Sequence, residues 1–214
     1  MTSENERLLK NIKEEKTVNQ ISLEMNISNK KIFQRIKNLS VNGYSFSRQY
    51  YYNGDIKYIL NKSFNDDDLT NRIIMDNEKN IFQALVVSDL HLGSCLERLD
   101  CLNLMYDYCI KNDIHIIINA GDLVNGMFGC PNNICSYEEQ ARYLLKNYPF
   151  DKNILNFVTL GNHDADSLFS SGLDLAKILY YNRHDIVPLG YTSGKIDVKG
   201  ESILIKHRIK SQQS

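Results

Sequence analysis

The chain has 214 residues, 43% of them hydrophobic and 24% charged, with a formal net charge of −1. That is enough apolar material to bury a core, which excludes a disordered polypeptide, and no apolar run approaches the roughly 18 residues of a membrane-spanning helix. The opening MTSENERLLKN lacks the basic flank and apolar stretch of a secretory signal, so a cytoplasmic protein without a membrane is expected. Cys95, Cys101, Cys109, Cys130 and Cys135 are odd in number and sparse, and free thiols are expected.

Charge is unevenly distributed. Residues 1–63 carry 11 Lys+Arg against 6 Asp+Glu, a balance of +5, and residues 64–214 carry 14 against 20, a balance of −6. Two modules with different partners are implied, the basic one suited to a polyanion. The expected division is 1–62, a linker over 63–79, and a second domain from 80 to 214.

In chain order, Leu8, Leu9 and Ile12 lie at helical spacing between Glu4 and Glu15. Thr17 stands where an N-cap would open a second helix with Val18, Ile21 and Leu23 on its apolar side. Ser28 would cap a third helix carrying Ile32, Phe33, Ile36 and Leu39. Two strand-like runs follow in FSRQYYYNGDIKYIL, separated by Asn53-Gly54, a pair that supplies the positive φ angles of a tight hairpin.

Three helices and a hairpin resemble a winged helix-turn-helix. The resemblance makes the third helix a recognition helix, with Lys30, Lys31, Arg35 and Lys37 facing double-stranded DNA and Arg48 and Lys57 on the wing. The alternative is a solvated face or a protein-contact module; the basic balance favours DNA.

Beyond the linker, short apolar runs at Ile81 to Val87, Ile114 to Ile118 and Ile154 to Leu160 read as buried strands. Between them, Leu96, Leu99, Leu102, Tyr106 and Cys109, and then Tyr137 to Lys146, have helical spacing. The alternation predicts an α/β domain with a largely parallel sheet, whose ligands gather beyond the carboxyl ends of the strands.

Those ends carry the chemistry. The first run leads into Ser88-Asp89-Leu90-His91, the second into Ala120-Gly121-Asp122-Leu123, and the third into Gly161-Asn162-His163-Asp164. Asp89 and His91, two residues apart on an extended strand end, would point the same way and could share one ion. The glycines before Asp122 and Asn162 would let the backbone approach an ion or phosphate closely.

D-x-H, G-D and G-N-H-D in that order, each after an apolar strand, resemble the calcineurin-like metallophosphoesterase superfamily, an α/β sandwich, over about residues 80–207. The resemblance implies two divalent ions, with Asp89 and His91 on the first, Asp122 bridging both, and Asn162 and His207 on the second. His163 would act at the leaving-group oxygen, with Asp164 orienting its ring. Hydrolysis of a phosphomonoester or phosphodiester by a hydroxide shared between the ions is the implied reaction. The mixed oxygen and nitrogen donors suit Mn, Fe or Zn.

Taken singly, each of these residues has a plain structural explanation as a cap, turn or surface histidine. Three coincident strand ends do not. His115 and His184 match no motif and are expected to be structural, and Cys130 with Cys135 reads as a reduced loop. The G-H-x-H motif that closes such sites in the superfamily is missing after His207, so the second sheet is expected to be incomplete. A fragment of a longer protein is the favoured explanation, ahead of a truncation completed by a partner or a degenerate member. The expected function is a metal-dependent phosphoesterase targeted to DNA; the alternative is a DNA-binding regulator with an inactive phosphoesterase domain. Substrate, metal and oligomeric state are left open.

Overall fold

A computed structural model describes residues 3–61, 71–76, 81–127, 131 and 133–207. Most of the expected linker, Cys130 and residues 208–214 lie outside the described residues. The chain forms two compact units, Met1–Phe82 with Asp197–Ser202, and Gln83–Ile196 with Ile203–Ser214.

In the first unit, α1 (Ser3–Lys13), α2 (Val18–Met25) and α3 (Asn29–Val41) follow the predicted spacings, and Leu8, Leu9, Ile12, Val18, Ile21, Ile32, Ile36 and Leu39 are buried. Thr17 caps α2 reciprocally with Gln20, and Ser28 accepts from the Lys31 N–H to start α3. Asn26 ends α2 in a left-handed conformation, φ 52°. The strands β1 (Phe46–Tyr51) and β2 (Ile56–Leu60) pair antiparallel, from Phe46 opposite Leu60 to Tyr50 opposite Ile56.

The turn between them differs from the expected two-residue form. Among its residues only Gly54 takes a positive φ, 84°, with its N–H on the Tyr51 carbonyl, while the Tyr51 N–H reaches the Asp55 carbonyl. This is a three-residue loop closed by a glycine bulge, and Asn53 is left with its side chain accepting the Asp55 N–H. Within the expected linker, β3 (Arg72–Ile74) runs parallel to β1 and stands opposite Asp197 and Val198. Residues 72–74 are therefore part of a sheet.

The second unit carries β4 (Leu85–Val87), α4 (Leu99–Lys111), β5 (Ile116–Asn119), α5 (Tyr137–Asn147), β6 (Leu155–Thr159), α6 (Asn162–Ser171), α7 (Leu175–Asn182) and β7 (Ile186–Gly190). Two further strands follow in the chain, β8 (Ser193–Val198) and β9 (Glu201–Lys206). The four strands β4-β5-β6-β7 form a parallel sheet in that order. β5 and β6 are buried along their whole length, as their nearly continuous apolar runs require of strands covered on both faces. Leu102, Tyr106 and Cys109 of α4, Leu144 of α5 and Leu179 of α7 complete this core. β4 is shorter than predicted because Ile81 is 54% exposed and the chain joins the sheet only at Leu85. Cys95, Cys101 and Cys109 are free thiols. No helix among the described residues is long and apolar enough to cross a membrane.

Candidate metal centre

Beyond β4 and β5 the two chains stay in register. The N–H groups of Asp89, His91 and Leu92 donate to the carbonyls of Gly121, Asp122 and Leu123, and the Asn125 N–H returns to Leu92. Asp89, His91 and Asp122 nevertheless have φ of 56°, 43° and 55°, left-handed values that L-residues seldom adopt. Asp89 and His91 are thus brought together by left-handed turns and not by the alternation of an extended strand, which corrects the expected geometry. Each such residue costs on the order of 1–3 kcal/mol, a cost characteristic of functional sites.

The third segment arrives as a helix start. Gly161 is the N-cap of α6, so Asn162, His163 and Asp164 occupy its first turn. The His163 N–H donates to Asp122 Oδ1 at 3.0 Å, placing the positive end of the helix against that carboxylate. Asp164 is fully buried; one oxygen accepts from Gly161 (2.9 Å) and Leu123 (3.1 Å), the other from Val124 (2.9 Å). Burial pushes its carboxyl up to about 6, against the pull of those same three donors. Its oxygens therefore tie the second and third segments together. The resemblance assigns the orienting of the His163 ring to Asp164, but the group that meets its Nδ1 is the Asn125 carbonyl, at 2.6 Å. The sequence carried a signal there in the Asn125-Gly126 pair, whose glycine takes φ +65°.

His207 follows directly on β9. Its N–H donates to Thr192, its Nδ1 lies 2.7 Å from the Ala120 carbonyl, and its Nε2 lies 3.2 Å from Asn162 Oδ1. The other Asp122 oxygen, Oδ2, faces three imidazoles, at 3.3 Å from His207 Nε2, 3.8 Å from His91 Nε2 and 4.0 Å from His163 Nε2. His91 Nε2 is also 3.9 Å from Asp89 Oδ1, and the His91 and His163 rings meet edge to face at 4.6 Å. Two donor groups result, His91 with Asp122 and His163, and Asp89 with Asp122 and His207. All seven candidate residues, Asp89, His91, Asp122, Asn162, His163, Asp164 and His207, are gathered at this end of the sheet.

A carbonyl only accepts, so Nδ1 of both His163 and His207 carries a proton, and each Nε2 is turned towards Asp122. Burial, with His163 alongside, lowers the His91 imidazole below its ordinary pKa and favours its neutral form. A buried carboxylate faced by three imidazole nitrogens calls for positive charge among them. Imidazole nitrogens with carboxylate and amide oxygens fit a borderline divalent ion, and a histidine bonded through Nδ1–H to a backbone carbonyl is already set to ligate through Nε2.

The other candidates belong to the first unit. On α3, Lys30, Lys31 and Lys37 are exposed, whereas the Arg35 guanidinium binds Asn5 (3.1 Å) and Glu4. Lys57 reaches Glu15 at 3.3 Å and Arg48 lies over the Tyr58 ring at 5.7 Å, so both expected wing cations make contacts within the unit. His115, expected to be structural, bonds to the Asn153 carbonyl (3.0 Å) and meets Asp113 (3.0 Å).

Among curated proteins, none matches the chain. The family model for the calcineurin-like phosphoesterase matches residues 82–212, more than half of the sequence and the whole of the clustered site. On that match and this geometry the chain belongs to the calcineurin-like phosphoesterase family.

Proposed function

We propose that the second unit hydrolyses a phosphomonoester or phosphodiester with two divalent ions, Mn, Fe or Zn by donor type, held by Asp89, His91, Asp122, Asn162 and His207. The observation that carries this reading is the position of Asp122. One carboxylate belongs to both donor groups, as a residue shared between two ions must. When bound, such ions polarise phosphoryl oxygens and lower the pKa of water.

The protein's own residues supply the rest. The first turn of α6 directs the His163 N–H towards Asp122, where it favours negative charge. His163, its Nδ1 proton committed to Asn125, exchanges protons only at Nε2, and protonated there it donates to the leaving oxygen. Asp164 keeps the second and third segments at fixed spacing and touches no reacting atom.

We further propose that the first unit is a winged helix-turn-helix that binds duplex DNA through Lys30, Lys31 and Lys37 of α3, with Arg35 contributing less because Glu4 and Asn5 engage it. The order of three helices, hairpin and exposed lysines supports this. The phosphodiester of DNA is then the substrate class that both units serve.

The purified chain, supplied with Mn²⁺, is expected to hydrolyse bis-p-nitrophenyl phosphate. Asp122→Asn should abolish turnover, and His163→Ala should lower kcat by about 10²–10⁴. No turnover by the unaltered protein across Mn²⁺, Fe²⁺ and Zn²⁺ would overturn the enzymatic reading and favour the regulator.

A further inference from the structure

Gln140, in the interior of α5, belongs to none of the motifs. It is 1% exposed, an amide where the helix otherwise buries Ala141 and Leu144. Its oxygen accepts the Gly126 N–H at 2.9 Å, and its nitrogen donates to the Gly126 carbonyl at 2.8 Å and the Ile134 carbonyl at 2.9 Å.

The Gly126 N–H and the Asn125 carbonyl are the two ends of one planar peptide group. Gln140 therefore holds one end of the group whose other end fixes His163 Nδ1. The following peptide is secured in the same manner, with its carbonyl on Gln140 and its Met127 N–H on Asp166 Oδ2 at 3.2 Å. Asp166 is braced in turn by the Tyr137 and Ser170 hydroxyls at 2.6 and 2.8 Å. Gly126, at φ +65°, has no side chain to resist rotation of the flanking peptides, so restraint has to come from outside.

We propose that Gln140 is a positioning residue for His163. By locking the Asn125–Gly126 peptide plane it keeps a carbonyl on Nδ1, which leaves Nε2 as the ring's only exchangeable position towards Asp122. A flipped plane would present an N–H to Nδ1, reverse the tautomer and withdraw proton transfer at Nε2. This inference rests on the phosphoesterase reading for its kinetic consequence, but its structural consequence is measurable without turnover.

The test uses the full chain and Gln140→Met, which keeps the volume and removes both hydrogen-bonding functions. In the metal-free protein, ¹⁵N imidazole spectra, assigned by loss of the signal in His163→Ala, should show the Nδ1–H tautomer in the unaltered chain and a mixture in Gln140→Met. With Mn²⁺, kcat should fall about tenfold or more with KM little changed, since displacing a catalytic group by about 1 Å costs up to about 10²-fold. The fall should be larger for a phenyl than for a p-nitrophenyl ester, and should vanish when His163 is already Ala. If Gln140→Met does not fold, Gln140→Leu, which likewise removes the acceptor for the Gly126 N–H, is read the same way. An unchanged His163 tautomer in a folded variant, or losses that multiply in the double variant, overturns the proposal. A wild-type chain without turnover overturns the phosphoesterase reading instead, and the tautomer measurement still decides the role of Gln140.

Discussion

Two glycines set how closely the segments of the site can approach. A Cβ on Gly121 would lie 2.4 Å from His207 Nδ1, and one on Gly161 would lie 2.0 Å from Asp122 Oδ1. The ring and the carboxylate thus occupy the space that any larger residue would fill, and Gly121 also has φ +114°. Gly121→Ala should therefore push the His207 ring off the Ala120 carbonyl and remove one ligand. Its expected signature is a fall in bound Mn²⁺ per chain, measured by elemental analysis after gel filtration. Gly172→Ala is the control, because that glycine ends α6 at φ +74° with nothing within 4 Å of an added Cβ. It should lose about 1 kcal/mol of stability or more from backbone strain and keep its full complement of metal. Full metal uptake by Gly121→Ala would show that His207 is not a ligand.

At the scale of the element, Asp164 links α6 to the segment after β5. It is a buried carboxylate whose two oxygens satisfy three backbone donors. Asp164→Asn keeps one acceptor and turns the other oxygen into a donor facing N–H groups, leaving one or two of them unsatisfied. At about 1–3 kcal/mol for each, the denaturation midpoint should fall without a change in the slope of free energy on denaturant. An unshifted midpoint would mean that the link carries no stability. The contrast with the expected role for Asp164 shows where sequence reading stops. The strands were legible because β5 and β6 are nearly continuous apolar runs, and the helices because capping and period agree at Thr17, Ser28 and the buried leucines. Asp89, Asp122 and Asn162 were legible as strand-end chemistry, and His207 only through the family resemblance. The left-handed turns at Asp89 and His91, the Asn125 carbonyl on His163 and the amide of Gln140 were not, because each depends on which backbone group lies opposite another across the fold. β3 was hidden for a similar reason: Arg-Ile-Ile is too short to show a period, and its strand character comes from Tyr50 and Tyr51 beside it.

At the scale of the whole molecule, the net charge of −1 conceals two opposed halves, +5 over residues 1–63 and −6 over the remainder. A polyanion meets this chain as a local basic surface on an otherwise acidic protein. Lysines bound to phosphate release condensed counterions, at a slope of about −0.9 in log K against log salt for each phosphate neutralised. Salt also screens the repulsion between DNA and the acidic half, which works in the opposite direction, but this screening releases no condensed ions and the net slope stays negative. Titrating fluorescent duplex DNA with the full chain at several salt concentrations should therefore give binding that weakens steeply as salt rises. Changing Lys30, Lys31 and Lys37 together to Ala should flatten the slope by up to about 0.9 for each phosphate that is no longer neutralised. These three side chains are exposed on α3, so their removal should leave the far-ultraviolet circular dichroism unchanged. A slope identical to that of the unaltered chain would place the DNA-binding surface away from α3, and salt-independent or absent binding would remove the first unit's proposed role in bringing the catalytic unit to DNA.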